Sequence, residues 1–386
     1  MLTLFKAKPL SRLKFNLFKG NSGALLLSLI VLFASCKKDL KPSERDNPIA
    51  AEKNGSLKKE KSVEATVAVF ATGFNDPRGL EFGPDGYLYV AEAGAGGTTS
   101  SVGLCPGLEG EEYFGSPTGG RISKVSPGGV RTTITDNLPT SGGPGVLGVA
   151  DVAFIGNTLY ALLNGGGCSH GVPTVPNGIV QINTNGTFNV VADLGGWQVT
   201  HPVANPAADF EPEGTWYSMV SIGNDFYALD PNHGELVKVT TDGTITRVAD
   251  ISETQGHIVP TALDHHGNFY VGNLGLFPIT EGSSNIYKIT PSGETKVVET
   301  GFTTVLGLVF DNRARMYVLE NTTGNPFPTP FTGRIVRVNP NGTKDVIVSG
   351  LALPTGMTYG PDGNLYVSNW GFGAGPGGGQ ILKISL

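Results

Sequence analysis

The sequence is short of positive charge in the part that follows residue 62. From Val63 to Leu386 it has 14 Lys and Arg against 28 Asp and Glu. Nucleic acids are bound through clustered basic residues, and anionic membrane surfaces attract basic segments. We therefore expect neither as a partner of this region. An acidic surface is compatible with divalent cations, although acidic residues commonly serve solubility.

Cysteine is scarce too, with three in 386 residues. No local signature of a catalytic Cys–His pair accompanies them. Cys105 and Cys168 lie in two Gly-rich stretches that we interpret as long loops. In an exported protein these two residues can form a disulfide, or they can remain free buried thiols.

The sequence also lacks an apolar run that spans a bilayer comfortably near its N-terminus. Residues 23–35 are apolar over about 13 positions, which fits the core of a signal peptide. Five Lys and Arg and no acid stand in residues 1–35, and the small residues before Cys36 resemble a bacterial lipobox. We expect a lipoprotein signal peptide (1–35), lipidation of Cys36 and a flexible tether (36–62). An ordinary signal peptide with an incidental Cys is the alternative.

Glycine, in contrast, is abundant at 56 residues, and many glycines separate repeated units. Each unit has an apolar strand, a turn, and a second strand with a marker tyrosine, followed by a third strand of alternating polarity. The marker tyrosines are Tyr89, Tyr160, Tyr227, Tyr270, Tyr317 and Tyr366. Their last three spacings, 43, 47 and 49 residues, match four-stranded blades.

The sixth unit ends after its third strand, and residues 65–73 match the fourth strands of the other units. The sequence therefore predicts an all-β fold over residues 63–386. We expect a six-bladed β-propeller closed by an N-terminal strand, which protects the edge of the last blade. A β-helix is the alternative.

Polar residues recur directly after the second strands. Pseudo-symmetry predicts that they share one end of the central channel, where loops form the usual ligand face. Carboxylate and amide oxygens suit Ca²⁺ or another divalent cation, and Glu92 and Asp230 are the candidate metal ligands. The alternative is that Asn and Gly at these positions end the strands and satisfy the backbone of the loops. The candidate ligand-binding residues at this channel mouth are Glu92, Asn164, Asp230, Asn232, His233, Asn273, Asn321 and Asn369.

An insertion at residues 195–214 adds a further candidate. Its Trp197 and Phe210, together with Trp216, could form an aromatic floor for a sugar or flat molecule, with carboxylates nearby. Packing of the long loop against the domain is the alternative. His233, beside Asp230, is the histidine closest to the predicted ring and a possible general base.

The chain from Val67 to Leu386 resembles the ScyD/ScyE family. The motifs that carry the resemblance are residues 77–86, 117–125, 260–263, 270–275 and 301–304. The resemblance implies an exported propeller without an established reaction. More distantly, the blades are similar to NHL-repeat and gluconolactonase-type propellers.

Two functions remain open at this point. The first is a non-catalytic binding module of the cell envelope, a monomer anchored in the membrane through Cys36. It would recognise a small molecule, glycan or protein on the loop face. The second is a metal-assisted hydrolase or lactonase of gluconolactonase type, in which a cation polarises a carbonyl.

Overall fold

Six antiparallel sheets make up most of the described part of the chain. The structure is a computed structural model and describes residues 65–105, 112–207 and 210–386. The predicted signal peptide, the tether and Cys36 lie outside the described residues. Four of the sheets contain four strands that are consecutive in the chain, one has two additional short strands, and one combines the last three strands with the first. The protein is a six-bladed β-propeller, which confirms the predicted fold class.

The blades differ mainly in the length of their loops. Blade 1 carries two additional short strands, Thr99–Ser100 and Val146–Leu147. The remaining strands, from the innermost outward, are Pro77–Phe82, Leu88–Glu92, Phe114–Val125 and Arg131–Gly142 in blade 1; Val149–Ile155, Thr158–Leu163, Gly178–Ile182 and Phe188–Asp193 in blade 2; Ser218–Ile222, Asp225–Asp230, Glu235–Thr240 and Ile245–Asp250 in blade 3; Pro260–His265, Phe269–Asn273, Ser284–Ile289 and Thr295–Phe302 in blade 4; Val305–Phe310, Met316–Glu320, Gly333–Val338 and Lys344–Leu351 in blade 5; and Gly356–Tyr359, Leu365–Asn369, Gly379–Ser385 and Thr66–Phe74 in blade 6.

The outermost strand of blade 6 comes from the other end of the described chain. Thr66–Phe74 pairs antiparallel with Gly379–Ser385, with Thr66 opposite Ser385 and Phe74 opposite Gly379. Its burial is low over the first four residues, as expected for an outer strand. This pairing gives the third strand of blade 6 a neighbour on its outer side.

Aromatic packing between blades explains why the marker tyrosines recur. Tyr160 of blade 2 packs against Phe226 of blade 3 with ring centroids 4.7 Å apart. The same contact joins the tyrosine of one blade to an aromatic ring of the next in four further pairs: Tyr89–Phe154, Tyr227–Phe269, Tyr270–Phe310 and Tyr366–Phe82. The buried core therefore lies between neighbouring sheets.

Short helices occur only in connections within the described residues. They are the α-helices Leu194–Thr200 and Ile251–Gln255 and the 3₁₀ turn Cys168–His170. Asp193 and Asp250 cap the two α-helices by accepting a hydrogen bond from Gly196 N and Glu253 N. None of the helices in this part of the chain is long and apolar enough to cross a membrane.

Candidate functional site

The amides predicted to line the channel mouth fasten loops to the blades. Asn164 Oδ1 accepts from Gly148 N at 2.7 Å, and Asn369 Oδ1 accepts from Ala352 N at 2.8 Å. The side-chain amides of Asn273 and Asn321 donate to the carbonyls of Ile258 and Pro354 at 2.9 and 2.8 Å. All four residues are buried. Because these loops lead into inner strands, the amides hold the inner ring in place.

Glu92 belongs to a buried ion pair. Its carboxylate accepts from Arg121 and from Asn75 N, the latter at 2.6 Å. Glu320 makes the equivalent pair with Arg334 in blade 5. Both carboxylates are fully buried. Glu92 and Asp230, which we expected around one cation, lie in blades 1 and 3 and belong to separate networks.

Asp230 is grouped instead with His233 and Glu235. One ligand atom from each of these three residues lies within 4.8 Å of the others, and all three side chains are at most 1% exposed. His233 Nε2 donates to Glu211 O at 2.7 Å. The neighbouring Asn232 accepts from Glu211 N at 2.8 Å. This hairpin of blade 3 therefore anchors the long insertion that precedes it.

The aromatic residues of the insertion do not share one surface. Trp216 is fully buried in the core between blades 2 and 3. Trp197 is half-buried and stacks on His201 with centroids 4.5 Å apart. Phe210 packs against His233 at 4.6 Å. The predicted aromatic floor is therefore absent, since Trp216 has no exposed face to offer a ligand.

Cys105 and Cys168 form a disulfide with their Cα atoms 5.3 Å apart. It joins the loop between strands two and three of blade 1 to the corresponding loop of blade 2. Beside it, Glu213 accepts from Ser169 N at 2.8 Å and from Ser169 Oγ at 2.6 Å. The loops and the insertion therefore form one cross-linked layer on this face.

The sequence analysis did not identify a serine motif that lies in this layer. Residues 167–171 read Gly-Cys-Ser-His-Gly and match the Gly-x-Ser-x-Gly pattern. A nucleophile elbow needs an exposed serine between a strand and a helix. Ser169 is instead fully buried in a 3₁₀ turn. His170 is buried as well, and its Nε2 lies 2.9 Å from Glu211 Oε2. The Gly-x-Ser-x-Gly pattern therefore forms a buried turn here and not a nucleophile elbow.

A central cavity of about 500 Å³ runs between the six inner strands. Its lining includes three carboxylates that the sequence analysis did not select, on Glu81, Asp151 and Asp264. Gly79 leaves room for one of them, because a Cβ there would stand 1.9 Å from Asp151 Oδ1. The sequence signal that could have identified these carboxylates is an acidic residue within an inner strand that is otherwise apolar.

Burial raises the pKa of all three cavity carboxyls. For Glu81, loss of hydration and then the nearby Asp151 charge raise the pKa to about 8, against a hydrogen bond from Phe154 N. Burial raises the pKa of Asp151 to about 7, although Met219 N and Val152 N donate to it. Burial likewise raises the pKa of Asp264 to about 6. Perturbed carboxyls in a cavity are candidates for acid–base chemistry.

A guanidinium stands at the loop-face end of the channel. Arg78 is 8% exposed and donates to Val146 O at 2.8 Å and to Gly371 O. Tyr217 OH donates to Thr355 O at 2.9 Å, which links blade 3 to blade 6 across the channel. Arg78 therefore ties the inner strand of blade 1 to the chain at Val146 and Gly371.

The loops between strands two and three of blades 4 and 5 expose large apolar side chains, and the half-buried Trp370 of blade 6 contacts one of them. Leu276, Phe277, Phe327 and Phe331 are between 51% and 65% exposed. Ile279 N donates to Pro326 O at 2.8 Å, which holds the loops of blades 4 and 5 together. We call the five residues Leu276, Phe277, Phe327, Phe331 and Trp370 the aromatic patch.

Two members of the aromatic patch have a left-handed backbone. Phe331 has φ of 65° and Trp370 has φ of 52°. Bulky residues rarely adopt this conformation, and such strain concentrates at functional sites. The two rings meet edge to face with centroids 5.5 Å apart. The sequence analysis missed this patch because its residues fall in loops without a periodic pattern.

Comparison with known proteins supports the fold. No protein-family model and no curated protein matches the chain. A solved protein of unknown function from Bacteroides thetaiotaomicron is 12% identical with a TM-score of 0.55, over 83% of this chain and 76% of that one. A putative oxidoreductase (glucose dehydrogenase) from Thermus thermophilus is 16% identical with a TM-score of 0.54, over 83% and 99%.

A gluconolactonase from Xanthomonas campestris is 10% identical to this chain, with a TM-score of 0.53 over 84% of this chain and 91% of that one. At these identities the likeness shows the fold alone. The structural neighbours of this propeller thus include gluconolactonase-like proteins.

Proposed function

We propose that the protein is a binding module of the bacterial cell envelope that docks a partner protein on the aromatic patch. The observation that carries this proposal is the exposure of four large apolar side chains on adjoining loops. Clustered exposed apolar residues mark interaction sites, and aromatic residues are enriched in protein interfaces. Within the patch, the exposed ring of Phe331 meets the half-buried ring of Trp370 edge to face.

We propose in addition that the chain is exported and anchored as a monomer through a lipid on Cys36. The sequence before Cys36 supports this proposal, and so does the Cys105–Cys168 disulfide, because such bonds persist in oxidising compartments. Membership of the ScyD/ScyE family, suggested by the motifs in residues 77–86 and 270–275, is part of the same proposal.

Photocrosslinking in the cells that naturally produce the protein tests the docking. A photoreactive amino acid in place of Phe327 should give one discrete protein adduct. Combined Phe277→Ser and Phe331→Ser substitutions should reduce that adduct at least tenfold, since buried aromatic anchors dominate interface energies. The photoreactive residue in place of Val346, an exposed outer-strand residue, is the matched control. Equal adducts at both positions, or none at position 327, would contradict the proposal.

A hydrolase acting on lactones or esters is the second candidate, favoured by the coupled carboxyls Glu81 and Asp151 in the cavity. With its pKa near 8, Glu81 is mostly protonated at pH 7 and can donate a proton, while Asp151 can accept one from water. On a panel of sugar lactones, Glu81→Gln should lower kcat/KM by about 100-fold or more. Asp264→Asn is the control within the cavity. No turnover by the native protein above the water rate would exclude this candidate.

A further inference from the structure

Blade 3 breaks a charge pattern that blades 1 and 5 share. At the end of strand two, Glu92 lies directly opposite Arg121, and Glu320 lies directly opposite Arg334. The equivalent pair in blade 6 is uncharged, Asn369 opposite Gln380. In blade 3, Asp230 lies opposite Glu235, so a second carboxylate occupies the position of the arginine.

Neighbouring side chains compensate this acid pair only in part. Arg247 Nε donates to Glu235 Oε2 at 2.6 Å from the fourth strand. Gln198 Nε2 donates to Asp230 Oδ2 at 2.6 Å and to Glu235 Oε1 at 2.8 Å. An uncharged amide therefore stands between two fully buried carboxylates. Asp230 also accepts from three backbone amides, those of Thr215, Asn232 and His233. In charge, however, the two carboxylates face one guanidinium, whereas in blades 1 and 5 each carboxylate has its own.

Two buried acceptor atoms beside this pair have no hydrogen-bond partner among the described residues. They are His233 Nδ1 and Gln198 Oε1, on side chains that are each 1% exposed. Because His233 Nε2 donates to Glu211 O, its Nδ1 carries a free lone pair. An unpaired buried acceptor is costly, and a cation would satisfy both atoms.

We propose that Asp230, His233 and Glu235 bind a divalent transition-metal ion of the Zn²⁺ type. The ligand atoms already lie within 4.8 Å of one another. Zn²⁺ bonds nitrogen and carboxylate oxygen at about 2.0–2.2 Å, so small side-chain rotations bring the three atoms to one centre. A half-turn of the Gln198 amide places Oε1 where Nε2 now bridges the carboxylates, which supplies a fourth ligand.

The position of this site gives the metal a structural role. Asp230 Oδ1 accepts from Thr215 N at 2.9 Å, and His233 holds Glu211 O, so the group fixes the last residues of the insertion. Gly214 adopts φ of 65° there, and a Cβ would stand 2.6 Å from Asp230 Oδ2. Metal binding should therefore order residues 210–217 and raise thermal stability. This site is distinct from the aromatic patch and does not depend on the partner proposed for it.

Metal titration of the full-length protein tests the site. After dialysis against EDTA, Zn²⁺ and Ca²⁺ are added separately, and bound metal and melting temperature are measured. One equivalent of Zn²⁺ should bind and raise Tm by about 5 °C at about 100 times Kd. Failure to retain Zn²⁺, or binding of Ca²⁺ without Zn²⁺, would overturn the assignment.

Substitutions then locate the bound ion. Glu235→Arg recreates the pair found in blades 1 and 5, so it should fold and lose Zn²⁺. His233→Gln keeps a donor for Glu211 O and should weaken binding at least tenfold. Asp225→Asn removes a carboxylate of the same blade outside the site and should bind as the native protein does. Native-like Zn²⁺ binding by both Glu235→Arg and His233→Gln would place the ion elsewhere and refute the proposal.

Discussion

Glu92→Ala is expected to lower the free energy of unfolding by about 3–5 kcal/mol, the usual effect of removing one partner from a buried ion pair. The substitution leaves Arg121, whose side chain is 14% exposed, without its carboxylate. It also removes the acceptor of Asn75 N. Since Arg121 Nη2 donates to Gly73 O at 3.0 Å, the same network holds the end of the strand Thr66–Phe74. The loss should therefore loosen the outer strand of blade 6 as well.

Urea unfolding and hydrogen exchange of the native and variant proteins measure these two effects. Glu320→Ala is the matched control, because Glu320 makes the same kind of pair with Arg334 in blade 5. Both variants should lose comparable stability, but only Glu92→Ala should lose amide protection over residues 66–74. A destabilisation below about 1 kcal/mol would mean that Glu92 behaves like a surface charge.

The repeat made the fold predictable because it reflects packing between blades. Five of the six marker tyrosines make the same kind of aromatic contact with the next blade, as Tyr160 does with Phe226. A single sequence shows this periodicity directly. It also places residues such as Asn164 at the end of a strand, because blades share one arrangement of strands and loops.

The role of those strand-end residues could not be read from the sequence. An Asn that binds Ca²⁺ and an Asn that binds a loop amide are the same residue at the same position. Asn164 and Asn369 accept hydrogen bonds from backbone amides, which depends on where the loops return. Likewise, Trp216 looked available to a ligand because its burial depends on contacts with the neighbouring blade 2, which the sequence alone does not show.

The acid pair of blade 3 is recognised only when the sequence is combined with the register of the strands. Glu235 stands at the start of a strand and has no motif of its own. Only its alignment opposite Asp230, and the comparison with Arg121 and Arg334 in other blades, shows that a carboxylate has replaced a guanidinium.

The cavity carboxyls should make the stability of the protein fall as pH rises. Glu81 has a pKa of about 8 in the folded state against an ordinary value of 4.5. Between these values the folded protein keeps a proton that the unfolded chain has released, so the free energy of unfolding decreases with pH. Asp151, with a pKa of about 7, acts in the same direction between its ordinary value of 3.8 and pH 7. The contribution is complete near pH 4 and lost above pH 8.

Glu81→Gln should remove much of this dependence, because glutamine carries no charge and its carbonyl can still accept from Phe154 N. The variant should match the native protein at pH 4.5 and exceed it by about 2–4 kcal/mol at pH 8.5, by urea unfolding. Glu253→Gln, at an exposed position of the helix Ile251–Gln255, is the control and should leave the pH dependence unchanged. A variant no more stable than the native protein at pH 8.5 would show that cavity water solvates the Glu81 carboxylate. In that case Glu81 would be ionised at neutral pH, and the acid–base role considered for it in hydrolysis would lose its physical basis.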